Sequence, residues 1–335
     1  MIHSSQPEQQ TTTSIVAIDK LDAFWRQGQF DSFQGVDNVA IHFAIFTQAD
    51  ASFPSLIIIP GRCESYLKYK EIACELFEQG YSIFIIDHRG QGLSGRMLSN
   101  RNKGYVNHFQ DYVCDLSYFI EHIVTHHSTA KPYLLAHSMG GAIATRYMQD
   151  SPETIQAAVI SSPMLGFNSK PIPEVLARGL IHFQRNLNRL FGTSPWYFFG
   201  QNDYTPTNFE DNKLTHSPER YQEFLDLYQR TEIIQLGGVT AHWLSECIAA
   251  QEVIFAKLAV LKTPILLLQA GSDSIVSLTA QDDFCLKLHQ RQPQSCPEGK
   301  AVRFDSALHE LFFEEDSIRA PAIAKALDWF SKHPQ

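Results

Sequence analysis

Apolar runs of strand length recur along the chain at 39–46 (VAIHFAIF), 55–60 (SLIIIP), 81–87 (YSIFIID), 133–138 (YLLAHS), 157–162 (AAVISS), 264–270 (PILLLQA) and 301–306 (AVRFDS). Most are continuous rather than alternating, which is the pattern of strands covered on both faces. Between several of them lie segments of helical periodicity: YLKYKEIACELFEQG closing at Gly80, HFQDYVCDLSYFIEHIVTHH, and PAIAKALDWFSKH, where Pro321 suits a first turn. Strands alternating with helices predict an α/β fold built on a mostly parallel, doubly wound sheet.

The alternation fails between about Leu165 and Val253, where helical, aromatic-rich sequence takes over. An insertion leaving after one strand and returning before the next would cap the carboxyl ends of the strands, where open α/β sheets bind ligands. The expected division is therefore an N-terminal extension (1–30), an α/β core (31–164 and 254–335) and a helical cap or lid (165–253). Within the lid, EVLARGLIHFQRNLNRLF sets Leu176, Leu180, Phe183, Leu187 and Leu190 at helical spacing, with Arg178, Arg185 and Arg189 on other faces. That stripe either packs on the core or lines an acyl pocket, or it rests on anionic lipid. The second reading draws on the absence of any Asp or Glu between Glu174 and Asp203. The aromatics of SPWYFFG (Trp196, Tyr197, Phe198, Phe199) fit an apolar channel for an acyl chain.

Composition narrows the classes. At 335 residues and 44% hydrophobic content the chain can bury a large core without staples. Its six cysteines are dispersed, with no CxxC pair and no metal-ligand spacing, which suits reduced thiols. A formal net charge of −9 argues against a nucleic-acid surface, so a small molecule is the expected partner. The first thirty residues hold no apolar segment behind a positive start, and no run of eighteen apolar residues occurs, so a cytoplasmic location is expected.

Chemistry concentrates at YLLAHSMGGAIA (133–144), which runs from strand through a turn of small residues into a helix. Ser138, with Ala136 two residues before it and Gly140 two after, fits a nucleophile elbow. A nucleophilic serine needs a base, an acid that orients the base, and N–H donors for the oxyanion. In this topology the order along the chain is Ser, acid, His. Asp273 follows the strand PILLLQA, and His309 lies just past the strand AVRFDS, so the order holds. Met139 offers one oxyanion amide and Arg62, beside the flexible Gly61, the other. Asp282 and Asp283 are the alternatives for the acid, and His137 is expected to support the elbow from behind through a hydrogen bond. His216 reads as a structural or cap-hinge residue.

One motif competes. Gly90, Gly92 and Gly95 match G-x-G-x-x-G after a strand, the spacing of a dinucleotide-binding turn. No helix opens on the third glycine, since RMLSNRNKG is polar and turn-rich, so no nucleotide is expected.

Taken together, PGRCESYLKY, DHRGQGLSG, LLAHSMGGA, LLLQAGSDSIV and LHELFFE resemble the α/β-hydrolase superfamily in its monoacylglycerol lipase and lysophospholipase branch. LTHSPERY and GGVTAHW add a resemblance to bacterial lysophospholipases that lie peripherally on the inner membrane. The likeness covers about residues 20–333. It departs from the wider superfamily in having Pro60 before Gly61 where a histidine is usual, and Ala136 at the first small position of the elbow. The resemblance implies a Ser138, Asp273, His309 triad acting on the fatty acyl ester of a single-chain lipid, with no metal or organic cofactor. Lysophospholipid is the expected substrate; the alternatives are monoacylglycerol, a broad range of carboxylic esters, or acyl transfer to another lipid alcohol.

Overall fold

The computed structural model describes residues 19–128, 130–168 and 172–335; residues 1–18 of the expected N-terminal extension lie outside them. Residues 19–26 are helical (α1) and lead into an edge strand, β1 (Gln29–Gln34). The other strands are β2 (Ala40–Phe46), β3 (Ser55–Ile59), β4 (Ser82–Ile86), β5 (Tyr133–His137), β6 (Ala158–Ser161), β7 (Ile265–Ala270) and β8 (Val302–Phe304). They form one sheet in the order β1-β2-β4-β3-β5-β6-β7-β8. β1 and β2 pair antiparallel, as do β2 and β4, and every later pairing is parallel.

The central strands are apolar throughout because each face meets its own helical layer. Ile57, Ile59, Phe84, Ile86, Leu134 and Ala136 face a core shared with α3 (Phe109–His122), α4 (Met139–Asp150), α7 (Ala241–Ala256) and α8 (Leu278–Arg291). The alternate residues Leu56, Ile58, Ile83, Ile85, Tyr133 and Leu135 face α1, α2 (Lys70–Glu78) and α9 (Asp316–Ser331). This is the period-two alternation of a pleated strand with both sides dry.

Two elements differ from the reading of the sequence. β1 (QFDSFQ) has no apolar run; of its residues only Phe33 is buried, because an edge strand shows much of itself to solvent. α9 starts at Asp316, so Pro321 sits inside it rather than in a separate first turn. The helix is fixed there by Ile318, Ala322, Ala326 and Phe330, one buried residue per turn, and it forgoes the one amide bond that Pro321 lacks.

Between β6 and β7 the chain forms α5 (Glu174–Phe191), α6 (Pro218–Arg230) and α7. α5 packs against α7, and α6 lies over the strand ends that carry Ser138 and His309. α7 packs against α3 and α4 and shares their core through Trp243, Cys247, Ile248 and Ile254, so its place is in the helical layer of the sheet.

Candidate active site

Ser138 joins β5 to α4 with φ 50° and ψ −116°, a conformation that side-chain-bearing residues rarely adopt. Neighbours make the turn possible. A Cβ at Gly140 would meet the carbonyl oxygens of Ile59 and Pro60 at 2.3 and 2.5 Å, and one at Gly141 would meet Pro163 at 2.8 Å. The first turn of α4 can therefore press against the end of β3, which lifts the serine hydroxyl above the sheet.

Asp273 stands in the turn after β7, its Oδ1 accepting from the amides of Ile275 (2.7 Å) and Val276 (3.2 Å). Burial alone would raise its pKa; the hydrogen bond and charge of His309, with those two amides, outweigh it and hold the carboxyl below its ordinary value. An ionised carboxylate only accepts, so the His309 Nδ1–H donates to Asp273 Oδ2 at 2.6 Å. The other ring nitrogen, Nε2, then accepts from the Ser138 hydroxyl at 2.9 Å. The three predicted residues thus form one buried chain of two hydrogen bonds. The alternative acids are elsewhere: Asp282 accepts from Gln269 and Asp283 pairs with Lys287 on the surface of α8.

The Pro60–Glu64 loop faces the serine. Gly61 spends its amide on the Glu64 carboxylate. The next amide, that of Arg62, and the amide of Met139, first residue of α4, donate to no other group among the described residues. The loop is held by residues of the DHRGQGLSG stretch. His88 Nε2 lies 3.1 Å from the Pro60 carbonyl, and Gln91 Nε2 donates to the carbonyls of Gly61 (2.6 Å) and Glu64 (2.9 Å). One glycine of the competing motif serves this loop: at Gly92 (φ 53°) a Cβ would lie 2.1 Å from the Asp87 carboxylate, which binds Ser65 and the amides of Tyr66 and Leu93.

Behind these three residues lies a buried polar network that nothing in the sequence pattern marks. Glu64 accepts from Gly61, from the Tyr69 hydroxyl (2.5 Å) and from Lys68 (3.1 Å), and Lys68 also reaches Glu310 at 2.5 Å. His137 supports the elbow as expected, with Nδ1 3.2 Å from Glu64 and Nε2 3.3 Å from the His309 carbonyl. Burial works against both charges, but mutual attraction prevails: Glu64 is held well below the ordinary carboxyl range, helped by Lys68, and His137 is pushed up. His216, in the insertion between β6 and β7, lies 2.9 Å from Glu314, which precedes α9.

A cavity of about 590 Å³ opens above Ser138 and His309. Its apolar wall comes from α6 and adjoining lid residues, notably Tyr221, Phe224, Leu225 and Tyr228. The SPWYFFG aromatics, expected to form the acyl channel, do not line it: Trp196 and Phe199 are exposed and Phe198 packs on the core. Nor does the α5 stripe pack inward. Leu176, Phe183 and Leu190 are 64%, 57% and 74% exposed, while the side toward α7 carries Ile181, Gln184 and Arg185, the last donating to Ser245. No cluster of metal-ligating side chains occurs among the described residues.

Comparison with known proteins places these features. The family described as serine aminopeptidase, S33, matches residues 51–316. Lysophospholipase L2 of Escherichia coli strain K12 is 38% identical over 313 residues, covering 93% of this chain and 90% of the relative. The probable lysophospholipase L2 of Haemophilus influenzae is 31% identical over 90% of this chain and 92% of its own. Among solved structures, a soluble variant of monoglyceride lipase from Saccharomyces cerevisiae, in complex with a substrate analogue, superposes with a TM-score of 0.69 at 17% identity, covering 92% of this chain and 94% of that one.

Proposed function

Because the chain belongs to the family described as serine aminopeptidase, S33, and has the α/β-hydrolase fold, we propose that Ser138, His309 and Asp273 are its catalytic triad and the amides of Arg62 and Met139 its oxyanion hole. The protein is an ester-hydrolysing serine hydrolase, and lysophospholipid is its substrate, as the names of its relatives indicate. The observation that carries the site is the unbroken chain Asp273–His309–Ser138 on the floor of the cavity. Monoacylglycerol is the lesser reading.

Each part of the geometry has a task. As the Ser138 oxygen attacks the ester carbonyl, His309 Nε2 takes its proton and the Asp273 carboxylate stabilises the resulting imidazolium. The carbonyl oxygen gains negative charge, which the two amides receive; their positions are set beforehand by Gly140 against Pro60 and by Gln91 on the loop. His309 returns the proton to the leaving glycerol oxygen, which departs and leaves the fatty acyl group on Ser138. Water, deprotonated by the same histidine, then releases the fatty acid. A lipid alcohol taking the place of water would make the same acyl-enzyme a transacylase.

The lid supplies the approach. α5 turns its polar side inward, with Arg178 paired to Glu252 (2.6 Å) and Arg185 bound to Ser245, and its apolar stripe outward. An exposed stripe of this size favours transfer into a bilayer surface, so α5 is the segment by which the enzyme meets lipid. Two of the three arginines are thus engaged with α7. No helix among the described residues is long and apolar enough to cross a membrane.

A fluorophosphonate probe tests the nucleophile. It should add one label per chain, on the peptide carrying Ser138, and none to Ser138→Ala; labelling elsewhere, or undiminished labelling of the variant, would refute the assignment.

A further inference from the structure

The catalytic cavity contains a cation with no counter-charge. Arg62 is the one lysine or arginine lining it among the described residues. Its guanidinium donates to the Gly237 carbonyl and, at 3.0 Å, to Cys63 Sγ, while Nε is buried without a hydrogen-bond partner. The group lies 5.5 Å from the centre of the Trp243 ring. Neutral acceptors and an aromatic face are all that it meets, since no carboxylate comes within ion-pair distance among the described residues. The carboxylates that line or back the cavity are engaged elsewhere: Glu64 and Glu310 with Lys68, and Asp203 with Tyr197 and Asn100. Buried Arg89, by contrast, makes two bonds to Asp115 at 2.6 and 2.7 Å.

A guanidinium taken from water without an anion is costly, and the cost is recovered when an anion arrives. Its planar fork matches two oxygens of a phosphate better than any other side chain does. The position also fits. The amide of Arg62 faces Ser138, where the ester is attacked, and its side chain leads away along the cavity wall toward Gly237. In a lysophospholipid a glycerol backbone separates the ester carbonyl from the phosphate, a span comparable to that of an arginine side chain.

We propose that the Arg62 guanidinium is the subsite for the phosphate of the substrate head group, and that it makes this cavity favour lysophospholipid over monoacylglycerol. The inference rests on the lysophospholipase reading and extends it: one residue serves the reacting ester through its amide and the head group through its side chain. A neutral glycerolipid fills the same apolar wall but leaves the cation unpaired, so discrimination arises from an unmet charge.

The test compares kcat/KM for lysophosphatidylethanolamine and monoacylglycerol of the same acyl chain, in the same detergent micelles, for wild type, Arg62→Lys and Arg62→Met. Both substitutions keep the amide. The ratio of the two kcat/KM values should fall about 10- to 100-fold in Arg62→Met, the loss expected for charge-assisted hydrogen bonds, with Arg62→Lys in between. An equal fall for both substrates would overturn the subsite and leave the lysophospholipase reading standing. A wild type with no preference for the lysophospholipid would overturn that reading itself. Should Arg62→Met fail to fold, wild-type hydrolysis of monoacylglycerol decides: glycerophosphoethanolamine should inhibit at concentrations where glycerol does not, and equal potency would refute the proposal.

Discussion

At the scale of the residue, the site is a set of compensated costs. The left-handed backbone of Ser138 is strained, and what over-determines it is contact: Gly140 and Gly141 against β3 and Pro163 in front, His137 behind. The His137–Glu64 pair gives a pH signature. His137 is pushed above its ordinary value, so its contribution is complete below the pKa of an unfolded histidine and is lost as pH rises through the folded value; Glu64, held low, stays ionised throughout that window. His137→Gln should therefore cost about 1–3 kcal/mol on the acidic side of neutrality and progressively less as pH rises through the folded value. Melting temperature against pH checks this, and parallel curves for the two proteins would show His137 uncharged. Ser138, Asp273 and His309 could be singled out in the sequence because elbow, strand ends and chain order each leave a local mark, and the fold brings the three into one hydrogen-bonded chain. Glu64 and Lys68 leave none, since their meaning lies in a contact with Glu310, far along the chain.

At the scale of the element, what could be read was whatever the sheet dictates locally. Strands dry on both faces show as apolar runs, and β3 to β7 were visible for that reason. β1 was hidden because half-solvated edges look like loops, and the role of α6 because Tyr221, Phe224 and Tyr228 become a wall only once the lid is folded over Ser138. The α5 stripe was legible, but its direction was not, because helical spacing gives a face without saying what it meets. Changing Leu176, Phe183 and Leu190 together to serine should lower partitioning onto vesicles of anionic phospholipid about 100-fold. Stability should move by less than about 0.5 kcal/mol per site, since all three side chains are exposed. Vesicle flotation with a parallel thermal melt reads both, and unchanged flotation would remove α5 from the membrane contact.

At the scale of the molecule, core and lid divide the work. The sheet carries Ser138, Asp273 and His309 beyond its strand ends, and the insertion between β6 and β7 carries the apolar wall on α6 and the exposed stripe on α5. Tyr228 donates to the Cys63 carbonyl and Thr215 to the Phe313 carbonyl, so the insertion is tied both to the Pro60–Glu64 loop and to the segment following His309. The net charge of −9 is spread over a protein in which Arg62 is the one lysine or arginine lining the cavity among the described residues, a local exception suited to an anionic head group. If this cavity hydrolyses lysophospholipid, it does so through Ser138. Fatty-acid release from lysophosphatidylethanolamine and monoacylglycerol, measured side by side with Ser138→Ala as blank, tests it most directly. Release should be faster from the lysophospholipid and should fall at least about 1,000-fold in the variant. Release that survives in Ser138→Ala, or occurs from monoacylglycerol alone, would contradict it.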